Sequence, residues 1–227
     1  LNKEGEKHDF KDIYQLKKCR YIFKTETDPI IKKQLGEHHF SHYNGNAQQW
    51  SVRTALLTDL KKTIIINLPT GCGKTLVAHA LTINSTTNKL TLVIIPTISL
   101  AIEQASRVKE LLSAVKKDHG GDYYWVGDLS KEKRNDIQKR IEQSEQKILF
   151  CGPETLCQSS LQPTLFKAAK AGQIENIVID EAHIIDQWGV DFRPYYQMSV
   201  PVIKSLRQKS INGIKCVLMS ATLSEKT

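Results

Sequence analysis

Two adjacent carboxylates, Asp180 and Glu181, directly follow the apolar run 177–179. A short β-branched run is typical of a buried strand, so both acids are expected at its tip. Carboxylate oxygens suit Mg²⁺ and accept a proton from water. We predict that Asp180 holds Mg²⁺ through its water shell and that Glu181 orients and deprotonates an attacking water. That role requires a strand neighbouring a phosphate site. The alternative is that the two acids cap a helix beginning after Asp180.

A glycine-rich loop at residues 69–75 supplies the phosphate site, after the strand-like run 63–68. The pattern GxxxxGK[ST] is met, except that Leu68 stands in the first glycine position. Lys74 would neutralise the β- and γ-phosphates of ATP, and the Thr75 hydroxyl would ligate Mg²⁺. The alternative is an ordinary glycine turn between a strand and a helix. The residues predicted to bind the nucleotide here are Thr70, Gly71, Cys72, Gly73, Lys74 and Thr75.

Apolar runs and helical patterns alternate after residue 45, which predicts an α/β fold with a doubly wound, mostly parallel sheet and helices on both faces. In such sheets ligands bind at the carboxyl ends of the strands, where both motifs above fall. Strands are predicted at 63–68, 90–95, 123–126, 148–150, 177–179 and 215–219, and helices at 99–116, 130–143 and 161–171, with further helices before 63 and from about 74.

The composition limits the kinds of partner that this protein is expected to bind. The 227 residues carry a formal net charge of +8, which suits a polyanion such as nucleic acid. The five cysteines form no CxxC pair and have no histidine partners at zinc spacing. We therefore expect no structural zinc and predict that the cysteines are reduced thiols. No signal peptide or membrane-spanning run is present, so we expect no membrane partner and a cytoplasmic or nuclear, not secreted, protein.

The N-terminal residues differ from the rest. Residues 1–44 are polar and lysine-rich, and we predict a basic, helical N-terminal extension followed by one domain at 45–227. The chain starts at Leu1 and stops soon after the motif at 220–222, so we expect a piece of a longer protein.

Taken together, these motifs resemble superfamily 2 DEAH-type helicases and the RecQ-like branch in particular. The stretches that carry the resemblance are the phosphate loop, the sequence Asp-Glu-Ala-His at 180–183, Ser-Ala-Thr at 220–222, Pro-Thr-Ile-Ser-Leu at 96–100, Pro-Glu at 153–154 and the aromatic run 187–196. The resemblance covers about 47–222 and implies a RecA-like P-loop NTPase domain. Ser-Ala-Thr replaces the Thr-Ala-Thr common in RecQ members.

The resemblance also implies roles for further residues. Gln48, with Gln49 as a rival, would pair with adenine, and Tyr43 is considered for stacking on the base. His183 is expected to couple nucleotide state to Ser220 and Thr222, the alternative being a helix-face histidine that has no role.

Nucleic-acid contacts are predicted in two places. Trp188 and Phe192 would stack on bases, and Arg193 would contact a phosphate or reach towards the nucleotide when DNA is bound. The alternative is that the two aromatic residues belong to the core and that Arg193 pairs with Asp191. Thr97, Ser99 and the segment 152–155 would contact the DNA backbone.

The resemblance implies the first motor domain of an ATP-dependent 3′-to-5′ DNA helicase that acts on single-stranded or partly duplex DNA. Its partner would be a second RecA-like domain carrying an arginine finger, without which turnover should be slow or absent. Two alternatives remain: an RNA-dependent ATPase of the same superfamily, and a nucleotide-gated DNA-binding module that does not unwind.

Overall fold

The computed structural model describes residues 24–35, 41–85, 89–115, 117–118, 120–158, 160–186 and 194–222. The strands are β1 (Thr25–Glu26), β2 (His42–Tyr43), β3 (Thr63–Asn67), β4 (Leu90–Ile94), β5 (Tyr124–Trp125), β6 (Ile148–Cys151), β7 (Ile174–Ile179) and β8 (Lys215–Ser220). The helices are α1 (Pro29–Leu35), α2 (Asn46–Leu57), α3 (Thr75–Asn84), α4 (Ile98–Ala114), α5 (Lys131–Glu142), α6 (Pro153–Gln158), α7 (Leu161–Lys170) and α8 (Pro194–Lys209), with a 3₁₀ turn at Ala182–Asp186.

Six parallel strands form the central sheet, in the order β3-β8-β7-β4-β6-β5. Side chains alternate between the two faces along each strand, and an apolar layer covers each face, although the edge strand β3 leaves Ile65 exposed. In β4, Leu92 and Ile94 face one apolar layer, while Val93 faces the other. Helices α2, α3 and α4 complete the layer around Val93, and α5, α7 and α8 complete the opposite one. The predicted fold class is therefore confirmed.

The register of the sheet aligns the carboxyl ends of its strands. Asn67 at the end of β3 pairs with Ser220 at the end of β8, and Ile94 of β4 pairs with both Ile179 of β7 and Cys151 of β6. Each motif predicted to do chemistry follows one of these strand ends. They consequently share one edge of the sheet.

Two helices were not predicted from the sequence. Helix α6 begins directly at Pro153, and α8 begins at Pro194, which the sequence analysis placed inside the aromatic run. Proline is well tolerated in the first turn of a helix, because the N–H that it lacks would have no partner there. The two prolines mark helix starts instead of a continuing loop.

Part of the predicted N-terminal extension lies within the residues that the structure describes. Strand β1 pairs antiparallel with β2, around the short helix α1. Ile31 and Tyr43 are fully buried in the same apolar layer as α2 and α3. Residues 24–35 and 41–44 thus pack against the rest of the domain through these apolar side chains. Residues 1–23 and 36–40 lie outside the described residues.

Candidate nucleotide-binding site

The glycine loop connects β3 to α3 in a conformation that suits phosphate oxygens. Gly71 and Gly73 adopt φ angles of 79° and 77°, in the left-handed region that favours glycine. A Cβ atom on Gly73 would collide with the Nε2 atom of Gln48, so a side chain there would require the Gln48 amide to move. Helix α3 begins at Thr75, and its N-terminal end carries partial positive charge. Loop and helix together form an anion-binding cradle.

Lys74 joins this cradle to the acidic strand end. Its Nζ atom lies 3.3 Å from the Leu68 carbonyl oxygen and 3.7 Å from Oε1 of Glu181. The two motifs, more than a hundred residues apart, therefore meet at the sheet edge. The sequence predicted that the two motifs follow adjacent strands. They do not, because β8 lies between β3 and β7. The long Lys74 side chain spans the intervening strand.

Asp180 is held tightly at the end of β7. Its backbone N–H donates to the Ile94 carbonyl at 2.9 Å, and its Oδ1 atom accepts from the Glu181 N–H at 3.0 Å. Burial and then the neighbouring Glu181 carboxylate raise the pKa of Asp180, while Lys74 acts in the opposite direction. A desolvated carboxylate beside another carboxylate, with the Thr75 hydroxyl at the start of α3, offers the hard oxygen ligands that Mg²⁺ prefers. The residues present therefore fit a nucleotide with Mg²⁺.

His183 connects Glu181 to β8. Its Nδ1 atom lies 3.3 Å from Oε2 of Glu181 and 3.0 Å from the Ser220 hydroxyl. The Ser220 hydroxyl also accepts a hydrogen bond from the Thr222 N–H at 3.1 Å. The structure thus brings together the three residues predicted to couple the site.

Tyr196 belongs to this site and was missed as a separate residue. It is fully buried in the first turn of α8, and its hydroxyl donates to the Asp180 carbonyl at 3.2 Å. The signal that could have found it is Pro194, which marks a helix start and places an aromatic residue on the inner face of the first turn.

Gln48 lies against the phosphate loop, with its amide engaged at both ends. Nε2 donates to the Gly73 carbonyl at 2.9 Å, and Oε1 accepts from the Asn44 N–H at 2.7 Å. Gln49, the rival, points elsewhere, with Nε2 3.5 Å from the Glu26 carbonyl. The suggested stacking role of Tyr43 is wrong, because its ring is fully buried and its hydroxyl donates to Asp28.

The two segments predicted to contact DNA backbone face one groove of about 490 Å³. Ile98, between the exposed Thr97 and Ser99, lines it together with Gly152 and Thr155. The Thr97 hydroxyl also caps α4 by accepting from the Leu100 N–H at 3.3 Å, which gives it a structural role as well. The predicted contacts at Trp188, Phe192 and Arg193 lie outside the described residues.

Other site types find little support in the described part of the chain. It contains no group of three or more His, Cys, Asp or Glu residues arranged to hold a metal ion. The four cysteines in the described ranges are free thiols. None of the described helices is both long and apolar enough to cross a membrane.

A parallel sheet with a phosphate loop after its edge strand and two acids after a central strand defines a P-loop nucleotide-binding domain of the RecA-like type. Residues 46–227 match the family described as DEAD/DEAH box helicase. The chain belongs to the DEAD/DEAH box helicase family. The expected resemblance to superfamily 2 helicases is confirmed.

Curated relatives come from the RecQ branch, as the sequence analysis expected. The chain is 27% identical over 194 residues to "ATP-dependent DNA helicase Q5" of Rattus norvegicus, a match that covers 85% of the chain and 18% of that protein. It is 32% identical over 168 residues to helicase Q4 of Mus musculus, a match that covers 72% of the chain and 13% of that protein. Mouse helicase Q1 is 29% identical, with 77% and 26% covered. The chain therefore matches about a quarter or less of each relative.

Solved structures show the same fold. The DUF1998 helicase MrfA bound to DNA and AMPPNP superposes with a TM-score of 0.67 at 22% identity, covering 87% of this chain and 26% of that one. A hypothetical ATP-dependent RNA helicase from Sulfolobus tokodaii superposes with a TM-score of 0.58 at 19% identity, and the match covers 88% of this chain and 52% of that one. At these identities the likeness is one of architecture.

Proposed function

We propose that this chain is the first motor domain of a RecQ-like, ATP-dependent 3′-to-5′ DNA helicase, which couples binding of single-stranded DNA to ATP hydrolysis. The observation that carries the proposal is the continuous path from Lys74 to Glu181, His183 and Ser220, with successive separations of 3.7, 3.3 and 3.0 Å. The DNA helicases Q5, Q4 and Q1 among the relatives support the choice of DNA.

Each residue of the path has a distinct task in this proposal. ATP with Mg²⁺, when bound, supplies the phosphoryl group that water attacks. Lys74 neutralises phosphate charge, and its present ion pair with Glu181 holds that carboxylate near the same place. Thr75 and Asp180 hold the metal. Glu181 orients the water and takes its proton.

The coupling step runs through His183. Because its imidazole contacts both Glu181 and Ser220, a shift of the segment 220–222 changes where the Glu181 carboxylate points. Movement of a second RecA-like domain against this edge would be such a shift. That second domain would also supply an arginine finger, which accounts for ~10³–10⁵ of the rate in comparable phosphoryl transfers.

The groove beside Ile98, Gly152 and Thr155 is the proposed track for the DNA backbone. Hydroxyl and N–H groups contact phosphates without distinguishing bases, so binding should tolerate any sequence and weaken with salt. Trp188, Phe192 and Arg193 remain the predicted contacts to bases and phosphate, on the strength of the resemblance.

Two experiments test the proposal at different levels. On this chain, Lys74→Ala should abolish binding of a fluorescent ATP analogue, while Lys139→Ala, an exposed lysine on α5, should leave it unchanged. If Lys74→Ala binds the ATP analogue as tightly as the wild type does, the phosphate loop is not the nucleotide-binding site.

The second experiment measures ATP hydrolysis by the longer protein that we propose, alone, with single-stranded DNA and with single-stranded RNA. Stimulation by DNA alone, lost in Trp188→Ala while ATP still binds, is the expected result. Stimulation by RNA would favour the RNA-dependent ATPase. DNA binding gated by ATP, without strand displacement, would favour the binding module.

A further inference from the structure

A basic pocket of about 330 Å³ lies at the edge of the sheet opposite the phosphate loop. The residues that line it are Lys61, Lys204, Arg207, Gln208 and Ile214. Lys61 precedes β3 and Ile214 precedes β8, so the pocket lies at the amino ends of these two parallel strands. The strands are five and six residues long and separate the pocket from the nucleotide edge by roughly 17–20 Å. The pocket is therefore distinct from the nucleotide site.

Three hydrogen bonds fix the side chain of Arg207 in this pocket. Nε donates to the Ile214 carbonyl at 3.3 Å, Nη1 donates to the Thr63 hydroxyl at 2.9 Å, and Nη2 donates to the Lys61 carbonyl. A guanidinium has five N–H donors, so two remain for a ligand. Because the side chain is already ordered, a ligand that binds it causes little further loss of conformational entropy.

The pocket carries a positive charge that its own lining does not balance. Lys204 and Arg207 are three residues apart on α8 and share one face of the helix. The Lys61 side chain passes over Gly213, where a Cβ atom would collide with it. Among the described residues, no carboxylate lines the pocket, and no ion pair involves Lys61, Lys204 or Arg207. Three cations around one concavity repel one another, and a bound anion relieves that repulsion.

The surroundings favour an acidic protein segment over nucleic acid. Ile211 is 73% exposed, in the same turn as Gly213, and offers the apolar contact that a peptide side chain can use. None of the described lining residues is aromatic or carries a hydroxyl group, so the pocket lacks groups that often contact bases and the sugar-phosphate backbone. The proposed DNA groove lies at the other edge of the sheet, after β4 and β6.

We propose that this pocket binds an acidic segment of a partner protein. Carboxylates of that segment contact Arg207, Lys61 and Lys204, and an apolar side chain packs on Ile211. A partner bound at this edge leaves the opposite edge accessible, so nucleotide and partner bind at the same time. The inference does not depend on the proposed nucleotide site or on DNA unwinding.

The test uses a fluorescein-labelled peptide with several glutamates and two leucines, and the same peptide with glutamine at each glutamate. Fluorescence anisotropy measures their binding, and the wild-type chain should prefer the acidic peptide. Lys61→Gln combined with Lys204→Gln should weaken that binding about two- to thirtyfold, the range for two exposed ion pairs. Both lysines are exposed, so the melting temperature should stay unchanged. The matched control, Lys109→Gln with Lys139→Gln, removes the same charge from exposed positions on α4 and α5 and should bind normally.

Ile211→Ser tests the apolar contact separately. It should weaken binding of the acidic peptide about three- to tenfold, the effect of partly burying one apolar side chain. Unchanged binding by this variant would contradict the proposed contact.

Four further outcomes would overturn the inference. Equal binding of the two peptides by the wild type shows that carboxylates are not recognised. Unchanged binding in the pocket variant shows that the peptide binds elsewhere. An equal loss in the pocket variant and its control shows that overall charge attracts the peptide. A pocket variant that binds the peptide normally but loses affinity for a single-stranded oligonucleotide assigns the pocket to nucleic acid.

Discussion

The Nδ1 atom of His183 lies 3.0 Å from the hydroxyl oxygen of Ser220, across the carboxyl ends of the adjacent strands β7 and β8. The same nitrogen lies 3.3 Å from a carboxylate oxygen of Glu181. Because Thr222 N–H donates to the Ser220 hydroxyl, that hydroxyl is left to use its own proton or a lone pair towards His183. The His183 imidazole therefore contacts both the Glu181 carboxylate and the end of β8.

Ser220→Ala removes the hydroxyl from this contact without disturbing the strand. We expect nucleotide affinity to stay unchanged and the DNA-stimulated rate of ATP hydrolysis in the longer protein to fall roughly tenfold, the rate equivalent of one hydrogen bond. Steady-state hydrolysis with and without single-stranded DNA measures it. Ser113→Ala, which removes a surface hydroxyl bonded to Asp118, is the control and should change neither quantity. A full DNA response in Ser220→Ala would separate this contact from coupling.

Asp180→Asn should stabilise the fold while it removes the metal ligand. The pKa of Asp180 is raised in the folded state, so the folded protein binds a proton more readily than the unfolded chain, whose pKa is near 3.8. Ionisation of Asp180 as the pH rises therefore costs stability. The variant cannot ionise, and its amide oxygen can still accept from the Glu181 N–H.

Thermal melting at a series of pH values measures this effect. The melting temperature of Asp180→Asn should exceed that of the wild type at neutral pH, and the difference should shrink as the pH falls through the raised pKa towards 3.8. Asp128→Asn, at an exposed carboxylate, should show no such trend. A gain that is independent of pH would assign the effect to something other than ionisation.

Gly73→Ala should distort the phosphate loop for two separable reasons. Its positive φ angle costs an alanine about 1–2 kcal/mol, and the new Cβ collides with the Gln48 amide. Gln48→Ala alone should cost about 1–3 kcal/mol, because Asn44 N–H and the Gly73 carbonyl lose their partner. In the double variant the collision is absent.

A double-mutant cycle followed by urea denaturation tests this reasoning. The two losses should sum to more than the loss of the double variant. Strict additivity would mean that the Gln48 amide moves aside freely and does not brace the loop.

The N-terminal segment should depend on the ion pair between Asp28 and Arg53. Nη2 of Arg53 lies 2.6 Å from Oδ1 of Asp28, and the Tyr43 hydroxyl donates to Oδ2 at 2.8 Å. The hydrogen bond from Arg53 is the largest cause that lowers the pKa of Asp28, so this stabilisation exists above pH 3.8 and is lost as the pH falls through the lowered value.

Hydrogen exchange at residues 24–35 measures the effect of Asp28→Asn. Exchange should become faster at neutral pH, and the difference from the wild type should vanish in strong acid. Glu103→Gln, which breaks an exposed pair with Arg107 on α4, should not change exchange in that segment. Equal exchange in Asp28→Asn and the wild type would show that Ile31 and Tyr43 hold the segment without the ion pair.

Arg134 should contact a DNA phosphate from the groove beside α6. Its Nη2 atom donates to the Gly127 carbonyl, while its buried Nε atom has no partner, and the residue lines the groove. Arg134→Ala should weaken binding of single-stranded DNA and lower the slope of log affinity against log salt by about 1. Fluorescence anisotropy over a salt series measures the slope. Lys139→Ala on the same helix is the matched control. An unchanged slope in Arg134→Ala would show that Arg134 does not contact a DNA phosphate.

Local pattern was enough for most of the sheet. The runs at 63–68, 90–95 and 148–150 predicted β3, β4 and β6 within a residue or two. Strands β4 and β6 are buried along their whole length, and such strands have nearly continuous apolar sequences, whereas β3 is an edge strand with alternating buried and exposed residues. Helix α8 has no such clear signal, since it follows an aromatic stretch and contains Pro201 in its interior. Its contribution to the core through Tyr196 and Leu206 is visible only when β7 is in place beside it.

The sequence by itself determined the chemistry of this protein: a glycine loop with Lys74 and Thr75, a pair of acids after a buried strand, and the family to which they belong. Those signals are local, because each needs only residue types at fixed spacing beside one strand. The tertiary structure decided which groups touch. It placed β8 between β3 and β7, joined His183 to Ser220, engaged the Gln48 amide with the loop and left the Nε2 atom of His79 without a hydrogen-bond partner. Such contacts depend on strand order and on the competition of many polar groups for few partners, which no short stretch of sequence records.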